Sequence, residues 1–97
     1  MFGEIDPILQ ASAEKLSLCW LHEYRGEEVR SAEVSLGAGR FAQLWVEYSQ
    51  PPGTFVVCAW DRKSNRFRAP ASVQELSQTL AHAVAVARSW HATEHAS

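Results

Sequence analysis

Short alternating segments separated by tight turns fill the middle of the chain and most constrain its fold. Between residues 18 and 60 the pattern of side chains has a period of two, which is typical of β-strands. Turn-forming sequences interrupt it at 25–27, 37–39 and 50–53. Strands joined by such short turns pair as an antiparallel meander. We therefore predict four strands, at about 18–24, 28–36, 41–48 and 54–60, and leave open whether residues 66–69 extend the last hairpin.

Helical patterns flank these strands. Asp6 can cap a helix and Pro7 suits its first position, so a short helix is expected to run to about Leu16. Ser72 and Glu75 have the spacing of a capping box and precede an apolar stripe, which predicts a long helix over 72–91 and a frayed tail over 92–97. The predicted fold is a single α+β domain, 1–97, in which a short N-terminal and a long C-terminal helix flank a four-stranded antiparallel meander sheet (α-β-β-β-β-α).

The composition limits the classes of function. Hydrophobic residues make up 46% of the 97 residues, as in ordinary globular domains, and the net charge of −2 provides no general basic field for nucleic acid. The N-terminal residues do not form a signal peptide and no segment is apolar enough to cross a membrane, so we expect a cytoplasmic protein with no membrane partner. Cys19 and Cys58 are expected to be buried thiols rather than a disulfide.

Motifs of catalysis and metal binding find little support in the sequence. It contains no nucleophile elbow, phosphate loop or zinc-protease motif, so we expect a non-catalytic protein with no cofactor. His91 and His95 are four residues apart, as metal ligands on one helical face would be, but no third strong ligand lies near them. We therefore expect no metal site.

Aromatic residues on the strands are the first candidate for a binding surface. Large aromatics occupy strand positions that should face water if the sheet had one wet face. Either the two helices cover both faces or an aromatic face meets a partner. The outer side of the long helix has few charges and is a second candidate. The predicted partner-binding residues are Trp20, Tyr24, Phe41, Trp45, His82 and Ala85.

The basic segment 62–68 supports an alternative. Four cations within seven positions could contact phosphates while aromatic rings stack on bases, although turn chemistry alone also explains such a segment. The residues of this alternative nucleic-acid site are Trp60, Arg62, Lys63, Arg66, Phe67 and Arg68.

Two resemblances at the level of the fold accompany these candidates. The order of four strands and a helix from Leu18 to His91 resembles single-strand-binding modules of the Pur-alpha and Whirly type, and Gly39, Arg40 and Phe41 are similar to the turn of Pur repeats. That resemblance implies a dimer that presents strands to nucleic acid. A small acidic domain with these helices also looks like a bacterial secretion chaperone or adaptor. We predict a small protein-interaction or adaptor domain, with a protein partner or a homodimer as its complex; nucleic-acid binding is the alternative.

Overall fold

A computed structural model describes residues 2–37, 39–49, 53–61 and 64–96, with the backbone alone for 91–96. A 3-10 helix (Phe2–Glu4) and an α-helix precede a sheet of five strands, and a second α-helix follows it. The elements are α1 (Asp6–Leu16), β1 (Trp20–Tyr24), β2 (Glu27–Gly37), β3 (Arg40–Tyr48), β4 (Thr54–Trp60), β5 (Asn65–Ser72) and α2 (Leu76–Ala96).

The sheet is an antiparallel meander in the order β1-β2-β3-β4-β5. The α+β class, the antiparallel sheet and the two helices were predicted, but the count of four strands was wrong. Residues 65–72 pair with β4 along its whole length, from Thr54↔Ser72 to Trp60↔Asn65. The sequence of β5 hides this strand because it is polar and contains Pro70, which an edge strand tolerates.

Both helices pack on one face of the sheet, which we call the inner face. Helix-facing side chains of β2, β3 and β4 meet apolar side chains of α1 and α2 in a single core. Its fully buried large members are Ile5, Leu9, Val34, Leu44, Val46, Phe55, Val57, Leu76, Leu80 and Val84. The helices therefore do not cover both faces, and the opposite face of the sheet is left without a helix.

The two helices begin in different ways. The predicted capping box of α2 is confirmed: the Ser72 N–H donates to Glu75 Oε1 at 3.0 Å and the Glu75 N–H donates to Ser72 Oγ at 3.3 Å. The predicted cap of α1 is wrong, because Ile5 holds the cap position and Asp6 lies inside the helix. The Asp6 carboxylate instead accepts hydrogen bonds from Arg30 of β2. The bounds predicted for the long helix, 72–91, were displaced, because α2 begins at Leu76 and its backbone continues to Ala96. Fraying of the tail over 92–97 stays a prediction, and the side chains of His91 and His95 lie outside the described part.

The two cysteines differ in burial. Cys58 is buried in β4, as predicted, whereas Cys19 is exposed just before the edge strand β1. Both thiols are free. The prediction of two buried thiols is therefore wrong for Cys19, because an edge strand leaves its flank uncovered.

Candidate functional site

The uncovered side of the sheet, called here the outer face, is defined by the strand register. One row of paired residues crosses all five strands, as Leu21, Ser31, Trp45, Cys58 and Arg68. Alternation along the strands adds the neighbouring positions Glu33, Phe41, Gln43, Glu47, Val56 and Trp60. The outer face is thus built by β-strand periodicity, with every second residue of β3 and β4 pointing away from the helices.

Several apolar side chains on this surface are exposed, whereas Val56 and Cys58 are buried. Leu21 at one edge is 52% exposed, Phe41 is 37% exposed, and Trp45 and Trp60 are half-buried near the centre. The Tyr24 ring, 49% exposed, meets the Trp45 ring edge-on at 6.1 Å. Three of the predicted partner-binding residues, Tyr24, Phe41 and Trp45, therefore lie on or against the outer face, and two of them, Tyr24 and Trp45, are in ring contact.

Trp20 does not belong to that surface. Its indole N–H donates to the Leu9 carbonyl of α1 at 2.9 Å, and its ring packs against the core. Trp20 therefore helps to hold α1 on the inner face. Strand alternation alone predicts the same face for Trp20 and Tyr24, so the sequence did not distinguish their positions.

The remaining two predicted partner residues, His82 and Ala85, are exposed on α2. They lie on the opposite side of the sheet from Trp45, since α2 covers the inner face. The His82 ring packs edge-on against Phe67 with centroids 5.3 Å apart. Of the six predicted partner-binding residues, three thus lie on or against the outer face, two lie on α2, and Trp20 belongs to neither surface.

The basic segment is divided between the two sides. Arg62 and Lys63 lie outside the described residues. Arg66 forms an ion pair with Asp61 at 3.2 Å and stacks over the Trp90 ring of α2 at 4.7 Å.

The other described residues of that candidate also separate. Phe67 turns inward against the core. Trp60 and Arg68 remain on the outer face, where the Arg68 guanidinium reaches the Cys58 sulfur at 3.5 Å and Glu47 at 3.8 Å. Trp60 and Arg68 therefore share the outer face, and Phe67 lies on the other side of the sheet.

A shallow pocket of about 330 Å³ lies between the two outer-face tryptophans, lined by Trp45, Glu47, Cys58, Trp60 and Asn65. Burial raises the pKa of the Cys58 thiol above its ordinary value; Glu47 adds to the shift and Arg68 opposes it. A thiol held protonated is a poor nucleophile. The pocket thus offers two indole side chains beside the polar groups of Glu47 and Asn65, without an activated sulfur.

A larger cavity of about 550 Å³ occupies a gap within the sheet, and we call it the gap cavity. The pairing of β2 with β3 runs from Gly37↔Arg40 to Ser31↔Trp45 and stops there. Beyond that point β2 follows β1, and β3 continues to pair with β4. The lining residues are Phe2, Glu28, Val29, Arg30, Trp45, Val46, Glu47 and Tyr48.

A bulge in β2 accompanies this gap. Between the pairs Leu21↔Ser31 and Glu23↔Glu28, β1 has one residue and β2 has two, Val29 and Arg30. An extra residue of this kind bends the strand and increases its twist. The bulge therefore directs β2 away from β3 and opens the gap.

Arg30 fills the inner side of the gap. Its side chain is 7% exposed and makes two hydrogen bonds to Asp6, at 2.7 and 3.0 Å. It also donates to the Val29 carbonyl at 2.7 Å and stacks over the Phe2 ring at 4.6 Å. The Arg30 hydrogen bond holds the pKa of Asp6 below its ordinary value, so the carboxylate stays ionised.

Sequence reasoning did not find the gap cavity. The cavity depends on the end of the β2–β3 pairing at Ser31↔Trp45 and on the contact of Asp6 in α1 with Arg30 in β2. Both involve residues that are far apart in the sequence. One local feature of the sequence points to this region: Arg30 is a charged residue on the side of β2 that carries Ala32 and Val34. A charged residue at such a position is consistent with a β-bulge.

No family model, curated protein or solved structure matches this chain. Within the described residues, no three metal-ligating side chains come together and no helix is long and apolar enough to cross a membrane. The function is therefore inferred from the outer face and the gap cavity themselves.

Proposed function

We propose that this protein is a non-catalytic protein-interaction domain whose outer face binds a second copy of the same chain. One observation carries the proposal: both helices lie on the inner face, so within the described residues no helix covers the aromatic outer face. Tryptophan, tyrosine and phenylalanine are enriched in protein interfaces, and contiguous exposed apolar patches of this kind mark interaction sites.

The charges of the outer face favour self-association. Trp45, Cys58 and Trp60 at its centre are uncharged, and the two charged side chains described beside them, Arg68 and Glu47, lie 3.8 Å from each other. Two copies can therefore meet without opposing an uncompensated charge at the centre. The weakly charged side of α2 is a separate surface, which leaves it available to a further partner.

A cytoplasmic location is part of this proposal. Two free thiols, one of them exposed, fit a reducing compartment.

Light scattering over a range of protein concentrations tests the dimer. We expect a mass that rises toward twice 10.8 kDa, and Leu21→Glu should return it to the monomer because a charge enters the interface. Leu21 is 52% exposed, so this change leaves the core intact. Ala85→Glu places the same charge on α2 and should keep the dimer. A wild-type mass near 10.8 kDa at every concentration contradicts the proposal.

Single-stranded nucleic-acid binding is a second candidate, favoured by the presence of Trp45, Trp60 and Arg68 on one face. Stacked bases and a phosphate contact would suit these residues. Arg68→Glu should then weaken binding of a short single-stranded oligonucleotide, whereas Arg88→Glu on α2 should not. Phosphate contacts also require that affinity falls steeply with added salt. Salt-independent binding, or equal loss in both variants, would exclude this candidate.

A further inference from the structure

The gap cavity has the dimensions and walls of a binding site. Its volume of about 550 Å³ lies within the range of roughly 300–1,000 Å³ that is usual for small ligands. Phe2, Trp45 and Tyr48 contribute three aromatic rings to its lining. Aromatic walls bind apolar groups, and their faces also attract cations.

The charged side chains around the cavity are predominantly acidic. Asp6 and Arg30 neutralise each other through their two hydrogen bonds. This leaves the carboxylates of Glu28 and Glu47 in the lining. Glu28 is 3.8 Å from the Arg30 guanidinium, a separation at which an ion pair is weak.

Glu47 also retains its charge toward a ligand. The Arg68 guanidinium is 3.8 Å away, and the side chains of Glu47 and Arg68 are 54% and 60% exposed. Pairs this open to water are worth little. A cationic ligand can therefore compete for Glu47.

Arg30 is a poor receptor for an anion. At least three of its five N–H groups are engaged, two by Asp6 and one by the Val29 carbonyl. Its charge is already compensated by Asp6. An anionic ligand would meet Glu28 and Glu47 without gaining a free guanidinium.

We propose that the gap cavity binds an organic cation, an ammonium or guanidinium group on an apolar body. The apolar body contacts the rings of Trp45 and Tyr48 and the cationic group faces Glu28 and Glu47. The same chemistry is available from a free amine and from an arginine or lysine side chain of a peptide. This inference does not rest on the outer-face dimer, although Trp45 and Glu47 belong to both surfaces.

Nuclear magnetic resonance on the ¹⁵N-labelled full chain tests it. Three probes of similar shape are compared: phenethylammonium, neutral 2-phenylethanol and anionic phenylacetate. We expect the cation to shift the Trp45 indole signal and the Val29 and Tyr48 amide signals, and to bind at least about fivefold more tightly than the neutral probe. Phenylacetate should bind least.

Two variants and one matched control identify the charges involved. Glu28→Gln and Glu47→Gln should each weaken phenethylammonium binding by about threefold to fivefold. Glu33→Gln removes a carboxylate from the same sheet outside the cavity lining and should leave binding unchanged. Trp45 and Glu47 also lie on the outer face, so a dimer would compete with the probe for them. Leu21→Glu, expected to be a monomer, should therefore bind the probe at least as tightly as wild type. Retained amide dispersion shows that each variant is folded.

A second arm uses an acetylated and amidated Ala-Ala-Arg-Ala-Ala peptide and its citrulline counterpart. Tighter binding of the arginine peptide than of phenethylammonium identifies a peptide side chain as the source, and the reverse order identifies a free amine. Equal binding of cation and neutral probe, or tighter binding of phenylacetate, overturns the proposal. So does equal loss in Glu33→Gln, or no Trp45 shift with any cation at tens of millimolar.

Discussion

Arg30 determines much of the local structure around the gap cavity. A guanidinium that is 7% exposed needs a charge partner, and Asp6 supplies it from the first turn of α1. The same side chain satisfies the Val29 carbonyl beside the gap. A residue that the sequence presents as a helix cap therefore acts as the partner of a strand cation. Sequence alone could not show this, because the two residues are far apart in the chain.

Asp6→Asn should destabilise the fold at neutral pH and change its acid response. We expect a loss of about 1–2 kcal/mol at pH 7, the usual value for a charge-assisted bond reduced for the partial exposure of Asp6. The folded-state pKa of Asp6 is lowered, so its contribution is present above the ordinary value of 3.8 and is lost as pH falls below it. The Asp6→Asn variant should therefore lose less of its free energy of unfolding between neutral and acidic pH than wild type.

Urea unfolding between pH 2 and pH 7 measures both effects. Ser72 hydrogen bonds also lower the pKa of Glu75, so some loss in acid should remain in the variant. Glu4→Gln removes an exposed carboxylate nearby and should stay within about 0.5 kcal/mol of wild type at pH 7. Identical acid curves for wild type and Asp6→Asn would show that the Arg30 contact contributes nothing to stability.

Secondary-structure elements differ in how far their sequences predict them. β3 and β4 are central, and the sequence predicts their bounds within one residue. The alternation of β3 also predicts the outer position of Trp45 and Phe41. β1 and β5 are edge strands, where one flank is open and burial imposes little pattern. Pairing with β4, rather than the local sequence, determines that residues 65–72 form β5. In β1, Trp20 faces the core because its indole N–H binds the Leu9 carbonyl, whereas Tyr24 contacts Trp45 of the outer face.

Ser72→Ala tests the junction between β5 and α2. Ser72 is at once the last residue of β5 and half of the capping box of α2. Removing its hydroxyl leaves the Glu75 N–H without this acceptor and should destabilise the fold by about 1 kcal/mol. Chemical denaturation gives the value, and Ser77→Ala, one residue inside α2 and exposed, is the control. A larger effect at Ser77 than at Ser72 would contradict the capping role.

At the scale of the whole molecule, the asymmetry of the two sheet faces follows from the amount of helix available. One long and one short helix supply enough apolar side chains for a single layer, and both are used on the inner face. The strong apolar character of β4 on both sides then leaves Val56 and Cys58 to be buried by their own strand neighbours. Trp45 and Trp60 consequently form an apolar surface that a second chain can bury.

Thermal stability should therefore depend on protein concentration. If the folded chain is a dimer, dissociation accompanies unfolding, and each tenfold dilution should lower the midpoint by about 3–4 °C for two chains of this size. Leu21→Glu should show a midpoint independent of concentration, because its exposed position lies in the interface and outside the core. Ala85→Glu should follow wild type. Calorimetry over a hundredfold range separates these cases, and a wild-type midpoint that does not move would show that the outer face remains unpaired in solution.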